Sequence, residues 1–148
     1  MEHRTLQQLQ NVAELHPRES RSLPGTKRER LNRWAEVLER DPNRQLTMLI
    51  GAEHRAPSQR DRMACKDSPM AVAFEDPVLR TAGLEDASYG AARRFFHLAD
   101  WELHGIVCSC CHGPTARAKS IARRVRAATP PTDLADVLGR IWRFIVGR

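Results

Sequence analysis

Three of the four cysteines and one of the six histidines lie within six consecutive residues, from Cys108 to Gly113 (Cys-Ser-Cys-Cys-His-Gly). Thiolate and imidazole groups bind soft metals, ligate haem iron and carry out redox chemistry. No other stretch of the sequence concentrates such groups to this extent. The cysteine segment, residues 108–113, is therefore the first candidate for a functional site.

The spacing of these residues predicts a cluster if the surrounding chain is helical. A helix over residues 101–111 would place His104, Cys108 and Cys111 at positions i, i+4 and i+7, which share one face. Cys110 would fall on a neighbouring apolar stripe, and cysteine is among the residue types most often buried. We therefore expect Cys110 to be a core residue and the other three side chains to converge.

Metal binding is the first functional hypothesis. Zinc sites in proteins use three or four Cys and His ligands in a tetrahedral arrangement. The candidate ligands are His104, Cys108, Cys111, His112 and Cys65. Cys65 would come from another element to complete the set. The sequence thus predicts a soft-metal site, with zinc as the metal, in a structural or regulatory role.

A thiol-based enzyme or redox sensor is the second hypothesis. Cys108 would be the nucleophile and His104, one helical turn earlier, the base that promotes thiolate formation. A position late in the helix opposes this assignment, because the helix dipole disfavours an anion there. The remaining alternative is that the cysteines only fill the core.

The letters Cys108-x-x-Cys111-His112 resemble the haem attachment motif of c-type cytochromes. This resemblance implies thioether bonds at the two cysteines and His112 as the proximal iron ligand. The polar N-terminal residues lack the apolar segment of an export signal, and no Met or His follows His112. Haem binding is therefore disfavoured.

Composition predicts an ordinary globular protein. The chain has 148 residues, of which 41% are hydrophobic and 28% charged. No apolar run reaches the roughly 18 residues that span a bilayer. We expect a cytoplasmic protein whose thiols stay reduced, without a membrane partner.

Helix-capping and Pro/Gly signals predict a mostly α fold. We expect one helical domain over residues 1–148, a bundle of about six or seven helices, with a loop-rich region near 51–68 and residues 1–25 as a candidate for a loosely packed segment. The first predicted helix covers residues 5–15, and the second begins at the capping box Thr26-x-x-Glu29. Ser68-Pro69 and Asp76-Pro77 each open a further helix, and Asp86 or Ser88 caps the next one. The remaining helices are predicted over residues 101–111, over residues 115–128 and after Thr132. Residues 46–50 form an apolar run too short to assign.

The basic C-terminal region supports a third hypothesis. Residues 114–148 carry eight Lys/Arg and two Asp/Glu, whereas residues 63–113 carry four and seven. Candidate phosphate contacts are Arg117, Lys119, Arg123, Arg124 and Arg126. A basic adaptor for nucleic acid or protein, with an inert cysteine core, is the corresponding reading. The apolar residues of the last helix are a candidate surface for a protein partner or a second copy.

Overall fold

The computed structural model describes residues 22–131. Within that range it has eight α-helices and one two-stranded sheet. The helices are α1 (Lys27–Glu39), α2 (Pro57–Asp61), α3 (Pro69–Glu75), α4 (Pro77–Thr81), α5 (Tyr89–Phe95), α6 (Asp100–Val107), α7 (Ser109–His112) and α8 (Ala118–Ala128). The strands are β1 (Gln45–Thr47) and β2 (Thr115–Arg117), and a 3-10 turn covers Ala52–His54. The prediction of a mostly α fold is confirmed.

The structure has more helical segments than predicted in two regions of the chain. The loop-rich region near 51–68 contains the 3-10 turn and α2, and the single helix predicted over 101–111 is two helices, α6 and α7. The helices predicted for residues 5–15 and after Thr132 lie outside the described residues. None of the helices within residues 22–131 has the length and apolar character needed to cross a membrane.

Helix α1 forms as its sequence predicts. The Thr26 hydroxyl accepts a hydrogen bond from the Glu29 N–H, and the Glu29 carboxylate accepts one from the Thr26 N–H, which completes the capping box. The apolar face of α1 is buried against α8, whose own buried face repeats at helical spacing. The buried residues are Leu31, Trp34, Ala35 and Leu38 on α1, and Ala118, Ile121, Ala122 and Val125 on α8. The contact between these two helices forms a large part of the hydrophobic core.

Two consecutive Pro-started helices pack on α1. Ser68 and Asp76 cap α3 and α4 by accepting hydrogen bonds from the backbone of the first turn, as predicted. Asp76 is buried and receives two hydrogen bonds, of 2.9 and 2.8 Å, from the Arg33 guanidinium. Burial alone would raise the pKa of Asp76, but Arg33 and the helix cap hold it below its usual value.

A short sheet joins the middle of the chain to the segment after the cysteines. Leu46 pairs with Ala116 in an antiparallel register, and Leu46 is fully buried. Each strand alternates between exposed and more buried residues but has only three residues, which is too few for period-2 alternation to predict a strand from sequence. The predicted helix over 115–128 therefore begins three residues late, at Ala118.

Candidate metal centre

The chain leaves the helical conformation at Cys108, and this break determines the geometry of the site. Cys108 has an extended backbone (φ −95°, ψ 143°) between α6 and α7. The Leu49 N–H donates to the Val107 carbonyl at 2.9 Å, and the Leu49 carbonyl accepts from the Ser109 N–H at 2.8 Å. The segment that follows β1 therefore pairs with the chain on both sides of Cys108 and holds the extended conformation in place.

The break reverses the predicted roles of two cysteines. Cys108 is 0% exposed and belongs to the hydrophobic core, whereas Cys110 and Cys111 are exposed. The prediction that Cys110 is a core residue is wrong, and so is the prediction of one continuous helical face through His104, Cys108 and Cys111. The physical reason is that one extended residue between two helices shifts the angular position of every residue after it.

His104, Cys110 and Cys111 form a compact group of potential metal ligands. The His104 Nε2 lies 3.0 Å from the Cys110 Sγ, and the Cys110 Sγ lies 3.6 Å from the Cys111 Sγ. All three ligand atoms lie within 4.8 Å of one another. Helix α6 supplies the histidine and α7 the two thiols, so the group spans the break. Among residues 22–131, these side chains are arranged so that they could hold a metal ion.

His112 is the last residue of α7 and follows Cys111 directly in the chain, but its ring nitrogens are not among the ligand atoms that converge within 4.8 Å. Its Nε2 is 2.8 Å from the Gly105 carbonyl oxygen. A carbonyl only accepts hydrogen bonds, so Nε2 carries a proton, and in the neutral ring Nδ1 then keeps its lone pair. A histidine that donates one ring N–H to a backbone carbonyl while the other nitrogen binds metal is a common arrangement.

Cys65 lies apart from the group. It is half-buried, and its Sγ donates a 3.5 Å hydrogen bond to the Thr47 carbonyl at the end of β1. Burial raises the pKa of its thiol. The structure therefore brings together His104 and Cys111 from the predicted ligands and adds Cys110. Cys108, Cys65 and His112 lie outside this group of three.

The environment raises the pKa of two of the thiols. Burial, then the neighbouring cysteines and the Glu53 carboxylate, raise the pKa of Cys108 to about 12. Partial desolvation, then Cys111 and Glu53, raise the pKa of Cys110 as well. A nucleophilic cysteine reacts as the thiolate and must be reached by its substrate. Cys108 is 0% exposed and its raised pKa disfavours the thiolate, which argues against its predicted role as a nucleophile.

Arg60 secures the elements around the site. Its guanidinium donates to the Ala52 carbonyl at 3.1 Å and to the Arg55 carbonyl at 3.1 Å, at the two ends of the 3-10 turn. It also forms an ion pair with Asp100, the first residue of α6. The Asp100 carbonyl in turn accepts a 2.9 Å hydrogen bond from the Tyr89 hydroxyl. This network fixes the start of α6 relative to the turn that carries Glu53.

The basic residues at the end of β2 and on α8 are exposed. Arg126 forms two 2.7 Å hydrogen bonds with the Glu39 carboxylate, which joins α8 to the end of α1. Arg117, Lys119, Arg123 and Arg124 are exposed. Part of the predicted phosphate-binding set therefore has a structural role, and the nucleic-acid contact stays a prediction.

Comparisons of this chain with protein-family models, with curated proteins and with solved structures find no match. Cys110 is the potential metal ligand that the sequence analysis missed. The apolar run at residues 46–50 is the one related signal in the sequence, because an extended run needs a backbone partner.

Proposed function

We propose that this protein binds a soft divalent metal ion, with zinc as the preferred metal, through Cys110, Cys111 and His104. The observation that carries the proposal is the convergence of two thiols and an imidazole within 4.8 Å on consecutive elements. Thiolate and imidazole together are the donor set that zinc favours in proteins.

The distance between the two sulfur atoms suits a tetrahedral ion. An ion bound to two thiolates at about 2.3 Å with tetrahedral angles holds the sulfurs about 3.8 Å apart. The Cys110 and Cys111 sulfurs are 3.6 Å apart. A linear ion with the same bond lengths would need about 4.6 Å, which favours zinc over a two-coordinate soft cation such as Cu(I).

His112 is the proposed fourth ligand. Its Nδ1 is available because Nε2 donates to the Gly105 carbonyl. Structural zinc sites are closed by four protein ligands, whereas catalytic sites leave one position to water. A set of two cysteines and two histidines would therefore support a structural or regulatory role.

The same geometry gives the metal a structural task. Helix α7 is one turn long, and an isolated turn of that length is unstable in water. An ion held by His104 on α6 and by both cysteines on α7 would tie this turn to the longer helix. The exposed thiols would also allow the metal to exchange with solution, as a regulatory site requires.

Cobalt titration tests the proposal, because Co²⁺ takes the place of Zn²⁺ and reports its ligands by absorption. We expect a thiolate-to-cobalt charge-transfer band that saturates at one ion per chain and disappears when zinc is added. Cys110→Ser and Cys111→Ser should each weaken the band strongly, and Cys65→Ser, which changes a thiol outside the group, should leave it intact. Absence of a thiolate band in the unmodified protein, or an unchanged band in the Cys110→Ser/Cys111→Ser double variant, would refute the proposal.

A further inference from the structure

Cys110 and Cys111 are adjacent, exposed, and have their sulfur atoms 3.6 Å apart. These properties are also those of a thiol pair that can be oxidised. Cys108, the third cysteine of the segment, is 0% exposed and excluded from reaction with solutes. Oxidation in this segment is therefore directed to one pair.

We propose that Cys110 and Cys111 form a reversible disulfide with each other, and that hydroperoxides drive its formation and thereby release the metal. The formation of the disulfide depends only on the two thiols. The release of metal rests on the proposed function, because both sulfurs are proposed ligands.

The chemistry proceeds in two balanced steps. A sulfur of the pair attacks one oxygen of the hydroperoxide, the O–O bond breaks, and the thiol becomes a sulfenic acid while water or an alcohol leaves with the thiol proton. The second thiol then attacks the sulfenic sulfur, the S–S bond forms, and a water molecule leaves. The two thiols lose two electrons and two protons in total, and the peroxide takes up both.

The backbone makes such a disulfide easy to reduce. Adjacent Cα atoms across a trans peptide are about 3.8 Å apart, below the roughly 4.4–6.8 Å that relaxed disulfides span. A strained and exposed disulfide has a more oxidising potential and is labile. The bond would therefore serve as a switch and would not act as a permanent cross-link.

Helix α7 can change its conformation to accommodate the disulfide with the loss of few backbone hydrogen bonds. It comprises Ser109–His112, and the Gly113 N–H donates to the Ser109 carbonyl at 2.6 Å to close its single turn. The segment before it is held independently by the pairing of Leu49 with Val107 and Ser109. Oxidation would thus rearrange α7 and the His112 contact with Gly105 while α6 keeps its structure.

Peptide mapping tests the disulfide on the full chain without metal. Trypsin cleaves after Arg94 and Arg117, so one peptide carries Cys108, Cys110 and Cys111, and a different peptide carries Cys65. After treatment with hydrogen peroxide, removal of the oxidant, denaturation and alkylation, we expect this peptide to lack two hydrogens and to carry one alkyl group, on Cys108. Reduction with a dithiol before alkylation should restore three alkyl groups.

Three results of the mapping would overturn the inference: alkylation of all three cysteines, a disulfide that includes Cys108, or sulfinic acid as the stable product. Cys65→Ser is the matched control and should give the same peptide pattern. Cys111→Ser should abolish the loss of two hydrogens.

Zinc-loaded protein gives a separate readout for the release of metal. We expect one zinc ion to be released per disulfide formed, and to rebind after reduction. Zinc binding without any disulfide would overturn this inference and leave the proposed function standing. A disulfide in a chain that binds no zinc would overturn the proposed function alone, and release without disulfide formation would contradict the coupling.

Discussion

At the scale of single residues, the cysteines of one short segment have different environments and therefore different chemistry. Cys108 is in the core, with a pKa raised to about 12. Cys110 is exposed and lies 3.0 Å from His104. Residue type alone does not separate these roles, because the separation comes from the extended backbone at Cys108.

The raised pKa of Cys108 makes stability depend on pH in the alkaline range. The folded state holds the thiol proton more tightly than the unfolded state, whose cysteine pKa is about 8.5. The contribution to the free energy of unfolding is therefore complete below about pH 8.5 and is lost as the pH rises toward 12. Chemical unfolding of the metal-free protein should show stability falling over this range.

Cys108→Ala serves as the comparison for that experiment. The variant should be less stable at neutral pH, because it leaves a small cavity in the core. Between about pH 8.5 and 12, the free energy of unfolding of Cys108→Ala should fall less steeply with pH than that of the unmodified protein. Cys65→Ala should change this slope by a smaller amount, because Cys65 is only half-buried. Equal slopes for Cys108→Ala and the unmodified protein would argue against an ionisable thiol held neutral by burial.

His112 provides a second prediction at this scale. If its Nδ1 binds the metal, His112→Asn should lower zinc affinity by about tenfold or more, in line with losses seen when groups around metal sites are removed. His97→Asn is a suitable control, because His97 has a positive φ of 51° that asparagine tolerates. Competition with a chromogenic chelator measures both affinities, and equal values would remove His112 from the ligand set.

At the scale of helices and strands, the division between α6 and α7 creates the site. Leu49 pairs with the backbone on either side of Cys108, so a segment about sixty residues earlier in the chain fixes the break. Without the break, Cys110 would face the neighbouring apolar stripe of a longer helix. The position of the candidate ligands thus depends on a long-range contact.

Two helical glycines provide a prediction about packing. A Cβ on Gly90 of α5 would lie 2.8 Å from the Asp61 Cβ and 3.0 Å from the Asp61 carbonyl oxygen, so α5 and the end of α2 approach too closely for a side chain. A Cβ on Gly105 of α6 would have no atom within 4 Å. We expect Gly90→Ala to destabilise the fold by about 1–3 kcal/mol. Gly105→Ala should stabilise it by up to about 1 kcal/mol, because alanine favours helix.

Urea unfolding of the two glycine variants measures both effects. Destabilisation by Gly105→Ala similar to that of Gly90→Ala would contradict the described packing, since only one of the two positions has a close neighbour.

The sequence predicted the elements whose signals are local. The capping box of α1 and the Ser68 and Asp76 caps each depend on residues within one helical turn, and all three form as expected. Helical periodicity also identified the buried face of α1. The predicted mostly α class follows from the same local signals.

The predictions that were wrong concern features that depend on contacts between residues distant in sequence. The strands have three residues each, and their pairing joins Leu46 to Ala116. The break at Cys108 similarly needs Leu49 as a partner. Helical periodicity within 101–111 therefore located the candidate site to within a few residues. It wrongly predicted Cys110 as the core residue and Cys108 as the potential ligand.

At the scale of the whole molecule, the exposed cations and the candidate metal centre involve different residues. The chain has a net charge of +6, and the exposed cations of α8 include Lys119 and Arg123. The candidate metal centre is on α6 and α7, with Glu53 as a neighbouring carboxylate. The hypothesis of a basic adaptor can therefore be tested independently of the metal.

Zinc content per chain tests the central claim most directly. Protein purified without chelator, and then dialysed against buffer with a small excess of zinc followed by zinc-free buffer, should retain one zinc ion per chain by elemental analysis. The Cys110→Ser/Cys111→Ser variant, folded as judged by circular dichroism, should retain close to none, and Cys65→Ser should retain one. Zinc near zero in the unmodified protein, or equal zinc in the double variant, would contradict a metal centre at His104, Cys110 and Cys111.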